Sequence, residues 1–251
     1  MLAAKLVLVP FLIAMITLVG QRFGPRIAGV VTGIPVVAGP IVFVLALEQG
    51  PAFAARSATA TLAGEGSLGL FCLAYAAVAL RTSWLTSTAV GWCGFAAGTL
   101  VLDRLAPSLG WALAIALVTP LVVTTLTPRP TVAAAATVRV PVAEVALRMA
   151  AGVALMLVLT SVAHAAGPRL SGLLTVFPVA TTILAAFSHR SMSGAFAVHL
   201  LRGLAAGLYS LTAFFAILAF ALEALGTGPA FSLAVGAALA VQALVLAAVG
   251  R

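Results

Sequence analysis

Charge is what this chain has least of. Only 7% of its 251 residues are Asp, Glu, Lys or Arg, where a soluble domain carries roughly 25% to coat its surface. A water-exposed fold is excluded on that ground. The acidic side is thinnest, with five carboxylates, of which Asp103 is the sole aspartate, and there is no asparagine. No Ser/His/Asp set or carboxylate pair can be assembled from so few groups, so an enzyme is not expected. Cys72 and Cys93 stand alone in apolar runs, without metal or redox spacing. His164, His189 and His199 lack ligand spacing as well, so neither a metal nor a cofactor is expected. Lysine occurs once, at Lys5, and the Ala-, Arg- and Gly-rich composition points to a high-GC bacterium.

What the chain has is long hydrophobic runs: 63% of it is hydrophobic and its mean hydropathy is +1.25. A helix needs about 20 apolar residues to cross the hydrocarbon core. Runs of that kind, separated by polar or Pro/Gly breaks, predict nine spans at 2–20, 28–47, 55–80, 84–102, 108–126, 141–165, 171–188, 196–222 and 229–250. The first has one lysine ahead of it and no small-residue cleavage site after it, so it reads as a retained helix. TPRPTVAAAATVRV (127–140) interrupts the apolar pattern and is expected to link two halves. The domains are then 1–126, a first repeat plus a connecting helix, and 141–251, a second repeat, within one membrane domain.

Repetition supports that division. GPRIAGVVTGIPV (24–36) and GPRLSGLLTVFPV (167–179) lie 143 residues apart, and at this offset 16 positions are identical over 24–76. Gly24/Gly167, Pro25/Pro168, Arg26/Arg169, Gly29/Gly172, Thr32/Thr175 and Pro35/Pro178 are among them. So are Phe53/Phe196, Gly64/Gly207, Ser67/Ser210 and Phe71/Phe214. Lys5 falls opposite Arg148, which begins the repeat at the first helix. With nine spans, the second half starts five crossings after the first, and an odd displacement reverses direction. The expected fold is an all-α integral membrane protein of two inverted-topology repeats of four helices, with 108–126 as the extra crossing. Many secondary transporters have this architecture, with broken helices lining a midplane site.

Pro35 and Pro40 interrupt the second span and Pro178 the seventh, since proline removes a backbone donor and clashes with the preceding turn. Thr32 and Thr175, three residues earlier, could satisfy loosened backbone or face a substrate. Arg26 and Arg169 precede the N-termini of these broken helices, where free N–H groups favour an anion. The substrate-binding candidates are therefore Arg26, Thr32, Pro35, Arg169, Thr175 and Pro178, weighed against tolerated kinks and arginines that simply reach to the headgroups. Glu65, in LAGEGSLGLF, falls mid-span, where an ionisable group is costly unless it has a partner or a hydrated cavity. It is the first proton-coupling candidate, the alternative being an internal ion pair with Arg202 or Arg56. His199, three residues from Arg202 on one helix face, is a second candidate.

GEGSLG (64–69) matches a dinucleotide pattern, but no strand precedes it, so the match carries nothing. Gly203 and Gly207, spaced four apart, indicate close helix packing. The net charge of +8 is scattered over span ends instead of clustered on a soluble face, so no nucleic acid is expected as a partner. Nine of the thirteen Lys/Arg fall on the side that holds the C-terminus, which favours a cytoplasmic C-terminus.

The run Gly29-Val30-Val31-Thr32-Gly33-Ile34-Pro35, followed by Glu48-Gln49-Gly50, resembles the core of the small bacterial inner-membrane GlpM-type family. Members are roughly half the size of this chain, which on that resemblance is a fused tandem version. The second half keeps Gly172 and Phe177-Pro178 but has Ser191-Met192-Ser193 in place of the acidic triplet. The resemblance makes Glu48 a third proton-coupling candidate. The expectation is a bacterial inner-membrane secondary transporter of a small anionic or zwitterionic molecule, proton-linked. Its partners are membrane lipids and that substrate, and a homodimer is admissible. The alternatives are a passive channel or lipid scramblase, and a non-transporting helper subunit.

Overall fold

The computed structural model describes the backbone of residues 2–36, 38–130, 140–175 and 177–249, and their side chains except at 2–6, 160 and 162–175. The described residues form ten helices and no strand. In chain order they are α1 (Leu2–Phe23), α2 (Pro25–Thr32), α3 (Ala38–Gln49), α4 (Pro51–Ala79), α5 (Trp84–Leu105), α6 (Leu109–Leu126), α7 (Val142–Thr175), α8 (Val179–Ser191), α9 (Gly194–Leu225) and α10 (Thr227–Val249). Six of them are long and apolar enough to cross a membrane: α4, α5, α6, the Val142–Leu159 part of α7, α9 and α10. Large apolar side chains such as Trp111, Leu126 and Leu244 stand exposed on the outside. This is the build of an all-α, multi-pass membrane protein whose outer face meets lipid.

Turn chemistry sets several boundaries. Gly24 and Gly50 both adopt φ +86°, a conformation open to glycine, and each is followed by a proline that opens the next helix. Ser83 and Ser193 cap α5 and α9 by accepting from Thr86 N and Phe196 N.

Two expected spans are divided differently in the structure. The span at 28–47 consists of two helices, α2 and α3. Pro35 lies in the gap between them, whereas Pro40 is the third residue of α3, inside a first turn that can do without its N–H. In the second half the helix backbone does not stop between 165 and 171: α7 passes through Gly167 and Pro168 to Thr175, and the chain breaks before Pro178.

Side-chain contacts give the direction of each helix. Gln21 bonds Val140 O, and Ile13 lies against Gly152, so α1 and α7 run antiparallel. Gly194 abuts Ala79 O while Thr212 meets Glu65, so α4 and α9 are antiparallel too. Gly29, Gly33 and Gly39 abut Leu200, Gly207 and Phe214 in turn. The α2–α3 pair therefore continues in one direction alongside α9 instead of doubling back. Helix α8 runs against α5: Phe177 packs on Phe95, Thr182 accepts from Trp92 Nε1, and Arg190 lies over Trp84.

These contacts gather the starts of α2, α5, α7 and α9 with the ends of α1, α4, α6 and α8 at one end of the molecule. Of the described arginines, Arg22, Arg26, Arg81, Arg129, Arg148, Arg190 and Arg202 lie there, and Arg56 and Arg104 lie toward the other. Two apolar cores fill the interior, one near the arginine-rich end around Phe71, Tyr75 and Leu201, the other around Leu62, Phe214 and Leu218.

Candidate functional site

Glu65 is the middle residue of α4, with fourteen residues on each side of it in that helix. It is 2% exposed, and no described arginine is in an ion pair with it. Its Oε2 lies 2.7 Å from Thr212 Oγ1, and its Oε1 has no partner. The ion pair with Arg202 or Arg56 is thus not formed; Arg202 donates instead to Thr127 O at 2.7 Å. Thr212 Oγ1 is also 2.9 Å from Leu208 O. A hydroxyl has one hydrogen to give, so the two contacts are satisfied together when Glu65 is protonated and donates to Thr212, which donates on to Leu208 O. When Glu65 is ionised, the same hydroxyl can turn to the carboxylate. Thr212 therefore serves both protonation states without moving a helix.

The helix breaks lie at this level. The gap after α2 is flanked by Gly207 and Phe214 of α9, on either side of Thr212. The break at Phe177–Pro178 packs on Phe95 and Trp92 of α5, whose Gly94 abuts Leu70 of α4. One buried carboxyl and two interrupted helices thus share a narrow slab of the bundle.

Backbone groups loosened at the first break find partners. Thr32 Oγ1 donates to Ala28 O at 2.9 Å, turned to its own helix. Gln242 Nε2, from the second half of α10, donates to Val30 O at 3.1 Å, and its Oε1 is buried without a partner. At the 143-residue offset Gln242 corresponds to Thr99, whose Oγ1 is also buried and unpartnered. Gln242→Met keeps the shape and removes one bond, a loss of about 1 kcal/mol. Amide exchange of the 30–36 segment is expected to rise about fivefold, with exchange in α6 unchanged.

The expected site residues are only partly brought together. Glu65, Thr32 and Pro35 lie within the slab, and Pro178 is buried at the second break. Arg26 is exposed in the first turn of α2, at the arginine-rich end, and His199 lies at that same end, half-buried, with Nε2 unpartnered. Glu48 is exposed in the last turn of α3, at the opposite end. The side chains of Arg169 and Thr175 fall outside the described residues. Thr212 and Gln242 were missed from the sequence, although a lone glutamine within the apolar run of α10 is a signal of the same kind that singled out Glu65.

The described residues hold no group of three His, Cys, Asp or Glu placed to bind a metal. No family model matches the chain, and comparison with curated proteins and with solved structures finds no match.

Proposed function

We propose that the protein is a proton-linked secondary transporter of a bacterial inner membrane, built from two inverted repeats of four spans joined by α6, nine crossings in all. The observation that carries this reading is the buried, incompletely partnered Glu65 at the level of two helix breaks. Irregular backbone and a lone carboxyl at that depth are tolerated where they serve a pathway.

Helix boundaries support the repeat. At the 143-residue offset α4 and α9 start together (51 + 143 = 194), as do α5 and α10 (84 + 143 = 227), and α2 and α7 end together (32 + 143 = 175). The corresponding helices α1 and α7, and α4 and α9, pack antiparallel, as inversion requires, whereas the last turns of α7, which correspond to α2, continue away from the arginine-rich end as α2 does. The resemblance to the GlpM-type family fits a fused pair of such units. With seven described arginines at one end and two at the other, the arginine-rich end is cytoplasmic. The cargo is a small molecule, with a negative charge favoured by the Gly-Pro-Arg sequence that opens α2.

A carrier fits better than an open channel. Glu65 and Thr212 are buried between α4 and α9; the cavity beside Arg148 measures about 10 Å³, room for one water, and the larger one, about 210 Å³ between α4 and α6, is lined mostly by apolar residues such as Leu70, Ile115 and Val122. The test compares metabolites inside and outside cells that lack the protein, express it, or express Glu65→Gln. A compound whose distribution changes with the wild type and not with the variant is the expected result. Profiles identical in all three strains would refute the reading.

A further inference from the structure

Three arginines from three separate elements meet at the arginine-rich end. The Arg26 backbone, in the first turn of α2, packs directly on Gly203 of α9. Arg202, the residue before it in α9, reaches across to the C-cap of α6 and donates to Thr127 O. Arg129 follows two residues later, so the end of α6 carries it to the side of α9 on which Arg202 and the start of α2 lie. None of the three is in an ion pair with a described carboxylate; the ion pair at this end joins Arg148 to Glu144 at 2.6 Å.

Two further features lie at this end. The first turn of α2 has no side-chain cap, because its N-cap is Gly24, so the N–H groups of Arg26 and Ile27 remain available. His199, one turn before Arg202 on the same face of α9, keeps a buried Nε2 without a partner. Three positive charges held together repel one another, and a helix N-terminus adds partial positive charge. An anion with several acceptor oxygens relieves both, and a tetrahedral phosphate suits guanidinium forks and free N–H groups.

We propose that Arg26, Arg129 and Arg202, with the start of α2, form a phosphate-binding site at the arginine-rich end. The phosphate belongs either to an anionic lipid headgroup or to a free phosphate-bearing solute. The site shares Arg26 with the proposed path of an anionic cargo, but the test below reads binding alone and can succeed in a protein that moves nothing.

The test uses the full-length protein in nanodiscs, as wild type and as Arg129→Gln/Arg202→Gln. One arm holds mixed phosphatidylcholine and phosphatidylglycerol and reads the lipids retained by native mass spectrometry. The other holds phosphatidylcholine alone and reads the thermal midpoint on adding inorganic phosphate, against chloride at equal ionic strength. Phosphatidylglycerol enrichment that falls about fivefold per arginine removed identifies a lipid headgroup. A phosphate-dependent rise in midpoint that the double variant loses identifies a solute. Arg129→Lys/Arg202→Lys keeps the charge and should retain most of either signal, while Arg81→Gln, at the same end outside the cluster, should retain all of it. If the wild type shows neither enrichment nor phosphate stabilisation, or if the double variant keeps whichever signal is seen, the site does not exist.

Discussion

Gly203→Ala and Gly207→Ala are each expected to cost about 1–3 kcal/mol, and the double variant to yield little folded protein. A methyl group at Gly203 runs into Arg26 O and lies 2.8 Å from Arg26 C; one at Gly207 runs into Val30 O and lies 3.0 Å from Val30 C. The obstacles are backbone atoms, so no side-chain rotation can relieve them, and α2 must lift off α9. Gly29 and Gly33 present the reciprocal problem, since methyl groups there would meet Leu200 O and the Gly207 backbone. Small residues at such a crossing let two helices approach until their backbones touch. Gly236→Ala is the control: nothing lies within 4 Å of that position in α10, so the better helix former should leave stability unchanged or raise it by up to about 1 kcal/mol. Thermal unfolding in detergent, followed by size-exclusion fluorescence, separates the two outcomes. If Gly203→Ala and Gly207→Ala unfold at the same temperature as Gly236→Ala, the close approach of α2 to α9 is wrong.

Glu65→Leu is expected to move stability and function in opposite directions. A buried carboxyl with an unpaired oxygen carries a desolvation cost of about 1–3 kcal/mol, and leucine removes it. The fold already accepts leucine in the corresponding place, since Leu208 is fully buried at the 143-residue offset. Thr212 keeps its bond to Leu208 O when Glu65 is gone. The variant should therefore unfold at a higher temperature than the wild type, and proteoliposomes carrying it should show no flux that responds to a pH gradient. Glu65→Gln, which keeps the shape and cannot ionise, should match the wild type in stability more closely and be equally inert to the gradient. A destabilised, gradient-responsive Glu65→Leu would assign Glu65 a purely structural part.

Much of this molecule could be read before its structure. Glu65 stood out because an ionisable residue in the middle of an apolar run is costly. Pro35 and Pro178 marked the two breaks, since a ring in place of an N–H interrupts a helix. Pro40 misled for a positional reason: its effect depends on where the helix starts, and in α3 it falls in a turn that does not need its N–H. Gly167-Pro168 misled in the opposite sense. Its sequence copies Gly24-Pro25, yet the backbone stays helical there, because a glycine permits the φ that ends a helix without imposing it.

Composition and pattern alone determined that the described residues are helical, that the helices suit a membrane, and that one carboxyl lies deep among them. Such properties follow from local chemistry, the transfer cost of charge and the backbone limits of proline, and need no knowledge of which residues meet. Tertiary structure alone decided that Thr212 and not an arginine answers Glu65, that Gln242 holds Val30 O from 212 residues away, and that Gly203 and Gly207 receive α2. It also brought Arg26, Arg129 and Arg202 to one place. Those pairings depend on how helices distant in sequence are laid side by side, and hydropathy carries no record of that.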